Sequence, residues 1–401
     1  MPSSIRKALN ELPITLDETY ERALDEISKE KRQHAHRLFQ CLVVAIRPLR
    51  VDELADVFAI EFEADAGPSL KEGWRPDSPE DAVMSACSTL IAVIEDKGSK
   101  VVQFSHFSVK EYLTADRLRT SEMGNIRQYH IPLDAAHTIL ARACLTVLLQ
   151  LDENVDKERL MTFPLAFYAA EHWVAHAKYE DVASRVQDAM EQLFHPSKVY
   201  LAAWTWICEV DLYGSYRVKP IDTLEERPTR PSEPALYYAV ICGFSGLVNY
   251  LIISHAENVD AECHNIYRTL LNVASRRGLA DVAHVLLQHN ADVNARGRAS
   301  EIPLHYPSYT GETRVTKLLL EHGAAVNARS MSGSTPLYRA SEHGHIEVVK
   351  ILLDHGADVH IRGEEGRTPF QAEGRTPFQV ATRNGHVEVA QLLLEHGAEE
   401  E

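Results

Sequence analysis

Apolar residues recur at helical spacing through the last third of the chain. Within 346–353 they fall on one face of a helix: Ile346, Val349, Ile351, Leu352 and Leu353. Thr335-Pro336 upstream predicts the start of an earlier helix, because threonine caps free N–H groups and proline is tolerated in a first turn. Gly344 separates the two helices. One such pair cannot bury its own apolar face, so further pairs must stack beside it.

Copies of this pair occur along the chain. Aligned on the glycine between the helices, five copies are spaced by 35, 33, 33 and 41 residues: Gly243, Gly278, Gly311, Gly344 and Gly385. Their starts, at 302–305, 335–338 and 376–379, and their ends, at 291–295, 324–328 and 357–360, resemble those of ankyrin repeats. The resemblance covers 235–401. It implies an α-solenoid that binds other proteins.

Two features break the repeat pattern. Pro307 and Ser308 stand inside the first helix of the third repeat. A proline inside a helix costs about 3 kcal/mol, so this helix is predicted to be shortened or distorted at Pro307. The longest interval reflects a tandem duplication, in which 373–380 nearly repeats 365–372. The second copy continues in register, so it is predicted to start the helix while the first loops out at a finger tip.

The first third of the chain reads as helices followed by a hairpin. Apolar faces predict helices beginning near 15, 31, 51 and 79. Thr15, with Glu18 three residues later, has the spacing of a capping box. The segments 91–95 and 101–106 predict two strands joined by a glycine-containing turn. We interpret 12–120 as a winged-helix-like domain with a small β-hairpin, preceded by a remnant at 1–11.

Winged helices commonly bind DNA, but the charges here oppose that function. The third helix stands where a recognition helix would lie, and it carries Asp52, Glu53 and Asp56. No basic residue occurs between 51 and 70, whereas reading a DNA groove requires cations and hydrogen-bond donors. The net charge of −17 is spread over all three thirds of the chain, which would repel a phosphate backbone. We therefore expect no nucleic-acid partner.

Three segments of this domain resemble a known module. Leu-Pro-x-Thr-Leu-Asp-Glu-Thr-Tyr at 12–20, Arg-Pro-Leu-x-x-x-Glu-Leu at 47–54 and His-Phe-Ser-Val-Lys-Glu-Tyr-Leu at 106–113 are similar to the winged-helix region after the NACHT domain of fungal NOD-like, signal-transducing NTPases. Relatives of GPI inositol-deacylase share this module. The resemblance implies a regulatory role and association with a NACHT-type NTPase domain. The chain has no Gly-x-x-x-x-Gly-Lys-Ser/Thr loop, so no nucleotide cofactor is expected in it.

His106 is the candidate for nucleotide sensing if an NTPase domain is present. A winged-helix histidine of related NTPases contacts the nucleotide phosphate, and the resemblance places His106 in that role. The alternative is that His106 only packs between the hairpin and the following helix.

Between the two ends lies a helical connector, 121–219, followed by a proline-rich linker at 220–234. The patterns predict one helix over 126–151 and another over 163–177, with helices of about 15 to 20 residues stacked in pairs. A zinc site is suggested by three residues that lie close together on one predicted helix: Glu171, His172 and His176. The glutamate precedes both histidines instead of lying between them, so we predict packing and no metal site.

Composition favours a soluble protein of the cytoplasm. No apolar run is long enough for a membrane helix, and the N-terminus lacks the apolar core of a secretory signal. The six cysteines are scattered without Cys-x-x-Cys spacing, which indicates buried thiols in a reducing compartment. No Gly-x-Ser-x-Gly motif of a lipase-like hydrolase occurs. We predict no catalytic residue, cofactor or metal.

Partner binding is predicted on the fingers and first helices of the repeats, where tyrosine and arginine are typical hot-spot residues. The candidates are Arg296, Arg298, Tyr306, Tyr309, Arg329, Met331, Tyr338, Arg339 and Arg362. Arginines along one edge of an acidic protein suggest an acidic partner surface, although exposed arginines are also commonly just solvated. We predict a mainly α, non-enzymatic interaction scaffold or sensor. The alternative is the regulatory half of a nucleotide-dependent NTPase whose P-loop domain lies outside this chain.

Overall fold

The structure is a computed structural model that describes residues 15–64, 67–96, 98–120, 124–211, 215–263, 268–297, 299–363 and 374–399. It is mainly α-helical, as predicted, and its strands form small antiparallel sheets, which include the predicted β-hairpin. Two compact units share the chain: Met1–Val210 with Tyr216–Arg230, and Asp211–Ser215 with Pro231–Glu401. The predicted remnant at 1–11 lies outside the described residues. The predicted domain boundaries remain predictions.

The first half of unit one combines helices with a three-stranded sheet. Its helices are α1 (Leu16–Asp25), α2 (Arg32–Val44), α3 (Val51–Phe58), α4 (Pro79–Cys87), α5 (Phe107–Thr114) and α6 (Asp116–Arg119). Its strands are β1 (Leu49–Arg50), β2 (Ile60–Glu61), β3 (Ser69–Leu70), β4 (Ile91–Asp96) and β5 (Ser99–Phe104). The predicted hairpin pairs Ile91 with Phe104, and β1 joins it through Leu49 and Val102. Thr15 caps α1 by accepting from the Glu18 amide.

The second half of unit one is the connector. It contains α7 (Gly124–Arg127), α8 (Leu133–Leu148), α9 (Lys157–Leu160), α10 (Leu165–Ala177), α11 (Val182–Arg185), α12 (Gln187–Phe194) and α13 (Tyr200–Ile207), then β6 (Cys208–Val210) and β7 (Tyr216–Val218). The prediction of one helix over 126–151 was wrong. Pro132 lacks the N–H that a continuous helix needs there, and α8 begins only after it. The predicted helix length of 15 to 20 residues was also wrong for most of the connector, because α10 has 13 residues and α12 and α13 have 8 each.

Helix α3 is fixed to the connector through its carboxylates. Glu53 is fully buried and accepts a bidentate pair of hydrogen bonds from Arg47, at 2.9 and 2.6 Å, and one from the Arg50 amide at 2.8 Å. The guanidinium of Arg50 donates to the carbonyl of Pro164, which precedes α10. The guanidinium of Arg47 lies 4.9 Å from the ring centre of Tyr168 on α10. The helix that a DNA reader would expose is therefore held against protein.

A second buried carboxylate on α3 continues this contact. Asp56 accepts from the Arg75 guanidinium at 2.7 Å and from the Leu165 amide, at the start of α10, at 3.0 Å. Burial raises the pKa of Asp56 to about 6, although the two donors act to lower that pKa. Together Glu53 and Asp56 explain why an acidic α3 is compatible with a stable fold.

Two histidines, His137 on α8 and His176 on α10, extend the polar network between these two helices. The buried His176 contacts the Tyr168 hydroxyl through Nε2 at 2.9 Å and His137 through Nδ1 at 2.9 Å. Burial lowers the pKa of His176 to about 3, so the ring is neutral at physiological pH. These contacts belong to the packing of the connector.

Acidification is expected to destabilise the wild type more than a His176→Gln variant. The folded state holds the pKa of His176 below its unfolded value of 6.5, so its stabilising contribution is complete above pH 6.5 and is lost as the pH falls. At pH 5 the loss is about 2 kcal/mol. The raised pKa of Asp56 has the opposite effect on stability below pH 6. This effect is the same in the wild type and in the variant, so it cancels in the comparison. Urea unfolding at pH 7 and pH 5 measures the difference; equal losses in both proteins would contradict it.

The described residues of unit two form five helix pairs, in agreement with the predicted number of about five repeats. The pairs are α14 (Ala235–Cys242) with α15 (Ser245–His255), α16 (Leu270–Arg276) with α17 (Ala280–Gln288), α18 (His305–Thr310) with α19 (Thr313–Glu321), α20 (Pro336–Glu342) with α21 (Ile346–Asp354), and α22 (Pro377–Arg383) with α23 (Val387–Glu395). Successive pairs contact through like helices: first against first and second against second. The apolar stripes thereby form one core along the stack.

The helix containing Pro307 is shortened but not interrupted. It has 6 residues, against 7 in α20, and it begins two positions after Pro303 instead of at the proline itself. Pro307 then occupies the first turn, where a backbone N–H has no partner within the helix. The helix is one residue shorter than α20, but it runs unbroken through Pro307, so the prediction that Pro307 disturbs it was wrong.

The helix-to-helix turns fit closely against the next repeat. Gly344 has φ of +74°, and a Cβ there would lie 2.5 Å from the ring of His386. That ring donates through Nε2 to the carbonyl of Glu342 at 3.1 Å. Gly311 and His345 form the same arrangement one repeat earlier, with His345 donating to the Tyr309 carbonyl at 3.0 Å. Because glycine has no side chain, the imidazole of the next repeat can approach it closely and donate a hydrogen bond to a carbonyl of the preceding repeat.

In the last repeat, Thr376 caps α22 by accepting from the Gln379 amide at 3.2 Å. The second copy of the duplicated octapeptide therefore starts the helix, as predicted. The first copy, with its predicted loop at a finger tip, lies outside the described residues.

Candidate protein-binding surface

The repeats present a face made of first helices and finger loops, which we call the inner face. Its helices are α14, α16, α18, α20 and α22, and its fingers are the segments 291–301, 324–334 and 357–363. Main-chain hydrogen bonds lie within two of the fingers: the Gly297 N–H donates to the carbonyl of Glu301 at 2.8 Å, and the Ser330 N–H donates to that of Ser334 at 3.0 Å. Gly363, at the end of the third finger, pairs with Arg375.

Three of the predicted arginines form a ladder along the fingers. Arg296 donates to the carbonyl of Arg329 at 3.0 Å, Arg329 to that of Arg362 at 3.2 Å, and Arg362 to that of Gly374 at 3.2 Å. All three side chains are exposed. The arginines thus join adjacent fingers while keeping their charge at the surface. Arg298, also predicted, lies outside the described residues.

Asparagine side chains connect the same fingers. Asn327 accepts from the Asp358 amide at 2.8 Å and donates to the carbonyl of Gly356 at 3.3 Å. Asn294 makes the matching pair of bonds to Ala325 and Gly323. One side chain thereby satisfies two main-chain groups of the next repeat.

Replacing Asn327 with alanine is expected to lower the free energy of unfolding by about 1–2 kcal/mol, because both hydrogen bonds to the next repeat are lost. Gln391→Ala is the matched control, since its side chain is exposed and contacts only Glu395, within the same helix, at 3.5 Å. Urea unfolding of both variants measures the difference. An equal change in the two would refute the role of Asn327.

Arg339 differs from the finger arginines because its charge is neutralised within the array. Its guanidinium lies 3.4 Å from Glu301 and 3.2 Å from Glu342, and only a quarter of its side chain is exposed. It is a weaker candidate for contacting a partner than the sequence suggested.

Burial removes two of the predicted tyrosines from the surface. Tyr306 is 6% exposed and Tyr338 is 1% exposed, so both pack inside the array. Placing them on the binding face was wrong, because the short helices α18 and α20 turn these positions towards their neighbours. Tyr309, at 39%, and Met331, at 73%, are exposed as predicted.

A stack of side chains crosses three first helices. The Arg276 guanidinium lies 4.7 Å from the ring centre of Tyr309, and that ring is 4.2 Å from the ring of His343. The residue types alone did not point to Arg276 or His343. Arg276 and Tyr309 each stand two residues before a repeat glycine, so alignment of the repeats could have identified Arg276. His343 stands one residue before Gly344 and lies outside that alignment. The stack gives the inner face an aromatic centre beside a cation, which is typical of interaction hot spots.

His106 caps helix α5 in unit one. It is exposed, its Nδ1 accepts from the Ser108 amide at 3.3 Å, and Ser108 also hydrogen-bonds the Tyr20 hydroxyl at 2.6 Å. The predicted packing role and the nucleotide-sensing role of His106 both remain predictions.

Several other features bear on chemistry and location. Within the described ranges, no group of three or more His, Cys, Asp or Glu is placed to hold a metal ion. No helix in that part of the chain is long and apolar enough to cross a membrane. All six cysteines are buried free thiols, and burial raises the pKa of Cys41 to about 12, which disfavours a reactive thiolate.

Comparison with protein families identifies both ends of the chain. Residues 7–124 match the winged helix domain of GPI inositol-deacylase. Residues 267–298, 296–363 and 337–394 match ankyrin repeat families. The chain therefore carries a winged helix domain of this type and ankyrin repeats.

One relative extends the comparison across most of the chain. Azaphilone pigments biosynthesis cluster protein L of Monascus ruber is 30% identical over 299 residues. The matched stretch covers 71% of this chain and 61% of that protein. The chain thus spans less than two thirds of the relative's length.

Proposed function

We propose that this protein is a non-enzymatic scaffold whose ankyrin repeats bind an acidic surface of a partner protein. Ankyrin repeats mediate protein–protein interaction. The observations that carry the proposal are the Arg276–Tyr309–His343 stack and the exposed arginine ladder. Cations and an aromatic ring on one face complement carboxylates and apolar side chains on a partner.

A charge-reversal pair tests this proposal in cells. Arg276→Glu/Arg296→Glu places two carboxylates on the inner face, while Lys317→Glu/Lys350→Glu makes the same charge change on exposed positions of the second helices α19 and α21. Quantitative mass spectrometry of proteins that co-purify with the full chain should show partners lost with the first variant and kept with the second. Equal retention by both variants would reject the inner face. Thermal melting of each variant controls for folding.

We further propose that the winged-helix unit is a regulatory module that associates with a NACHT-type signalling NTPase. Two observations support this role: the family match over residues 7–124 and the exposed position of His106 at the start of α5. A fluorescent ATP analogue should show no saturable binding to this chain, because nucleotide would be held by the separate NTPase domain. Saturable binding that is lost in His106→Ala would overturn the proposed separation of roles.

We propose a cytoplasmic location and a domain order of 12–120, 121–219 and 235–401, joined by the linker 220–234. Buried free thiols fit a reducing compartment. The side chain of Arg227 contacts carbonyls of residues 151–155, so part of the proposed linker is anchored in unit one. Imaging of a fluorescent fusion tests the location, and limited proteolysis should cut after Arg230 before cutting within either unit.

A further inference from the structure

Unit one contains a groove that the proposed function does not use. It has a volume of 610 Å³ and is formed where the segment 153–158, leading into α9, runs beside the segment 224–229. We call it the acidic groove. It lies within unit one and is separate from the inner face of the repeats.

The walls of the acidic groove are fixed by main-chain contacts. Arg227 donates to the carbonyls of Leu151 at 3.1 Å, Val155 at 3.4 Å and Val199 at 3.3 Å, and also to that of Asp152. Trp206 donates through Nε1 to the carbonyl of Glu225 at 3.0 Å. Both walls are thereby joined to the body of the connector, so the groove is formed before any ligand arrives.

The floor and the rim of the groove differ in chemistry. The lining is predominantly apolar, with Val155, Trp206 and Leu224 buried beneath it. The rim carries five exposed carboxylates: Glu153, Asp156, Glu158, Glu225 and Glu226. Lys157 is the exposed cation of the lining, since the Arg227 guanidinium is directed at main-chain carbonyls. An apolar slot surrounded by negative charge rejects phosphate groups and attracts cations.

We propose that the acidic groove binds a segment of a partner protein in which an apolar side chain is flanked by lysines or arginines. The apolar side chain would bury against the floor, and the flanking cations would meet the carboxylates of the rim. This ligand is opposite in charge to the acidic surface proposed for the repeats. The two sites therefore select different partners, or two different regions of one partner.

Fluorescence anisotropy with the full chain tests the groove directly. The probe is a fluorescein-labelled peptide, Gly-Lys-Arg-Leu-Leu-Arg-Lys-Gly, and its control replaces both leucines with serine. Saturable binding of the leucine peptide is expected, with clearly weaker binding of the serine peptide. No saturable binding, or equal binding of the two peptides, would overturn the proposal.

Charge variants locate the site. Glu225→Lys/Glu226→Lys should weaken binding of the leucine peptide by about tenfold, because attractive charges become repulsive. Glu72→Lys/Glu111→Lys makes the same change at exposed positions of unit one outside the groove and should leave binding unchanged. Equal weakening by both pairs would show general attraction to an acidic protein and would reject the groove. Since the inner face is intact in these variants, failure here leaves the proposed function of the repeats standing.

Discussion

Replacing Glu53 with alanine is expected to lower the free energy of unfolding of unit one by about 3 kcal/mol. The substitution leaves two cations without the carboxylate that accepts from Arg47 and from the Arg50 amide. Breaking a buried pair typically costs about 3–5 kcal/mol. The low end applies, because a third of each arginine side chain remains open to water.

Urea unfolding followed by tryptophan fluorescence measures this loss, since all four tryptophans lie in unit one. Glu111→Ala removes an exposed carboxylate from the same unit and should change stability by less than about 0.5 kcal/mol. A Glu53→Ala loss as small as that of the control would show that the attachment of α3 to α10 does not depend on this carboxylate.

Replacing Trp204 with alanine is expected to cost about 3–5 kcal/mol, the largest effect predicted for the connector. The indole is fully buried, with ring centres of Trp173 at 5.6 Å, Phe194 at 5.9 Å and Tyr216 at 6.1 Å. Its Nε1 donates to the carbonyl of Ala170 at 2.9 Å. Alanine would leave a cavity between α10 and α13 and would remove the hydrogen bond to the Ala170 carbonyl.

Two further variants separate the contributions. Trp204→Phe keeps most of the ring and loses the hydrogen bond, so about 1–2 kcal/mol is expected. Trp74→Ala deletes an indole that is 57% exposed and should cost less than about 1 kcal/mol. If Trp204→Ala were no worse than Trp74→Ala in chemical denaturation, the aromatic cluster would not be the core of the connector.

The repeat array was predictable because its signals are local and periodic. The recurrent glycine, the Thr-Pro starts and the apolar stripes predicted about five helix pairs, and five are present among the described residues. The hairpin of β4 and β5 was predictable for the same reason, since these two strands are adjacent in sequence. The third strand, β1, has only two residues and pairs across a long sequence separation, so no local pattern marks it.

The sequence was least informative about where charged and aromatic side chains point. The acidity of α3 argued against DNA binding, but the pattern did not show that Glu53 and Asp56 are buried against α10. Finger arginines were placed on the surface, while their donation to the next finger requires three-dimensional spacing. Tyr306 and Tyr338 were misplaced because a helix of six or seven residues is too short for periodicity to define its buried face.

Two members of the stack on the inner face occupy equivalent positions of neighbouring repeats. Tyr309 was identified because of its residue type, whereas Arg276 lies at the equivalent position one repeat earlier. Equivalent positions of stacked repeats lie side by side, so a row of such positions is the natural unit of a binding surface.

Hydrogen–deuterium exchange of the full chain, alone and with a partner captured by the wild-type protein, tests the proposed binding face most directly. The inner face predicts slower exchange in the fingers 296–301 and 329–334 and at the ends of α16, α18 and α20, with no change in α19 and α21. Protection confined to α19 and α21, or to unit one, would contradict binding of the partner by the inner face.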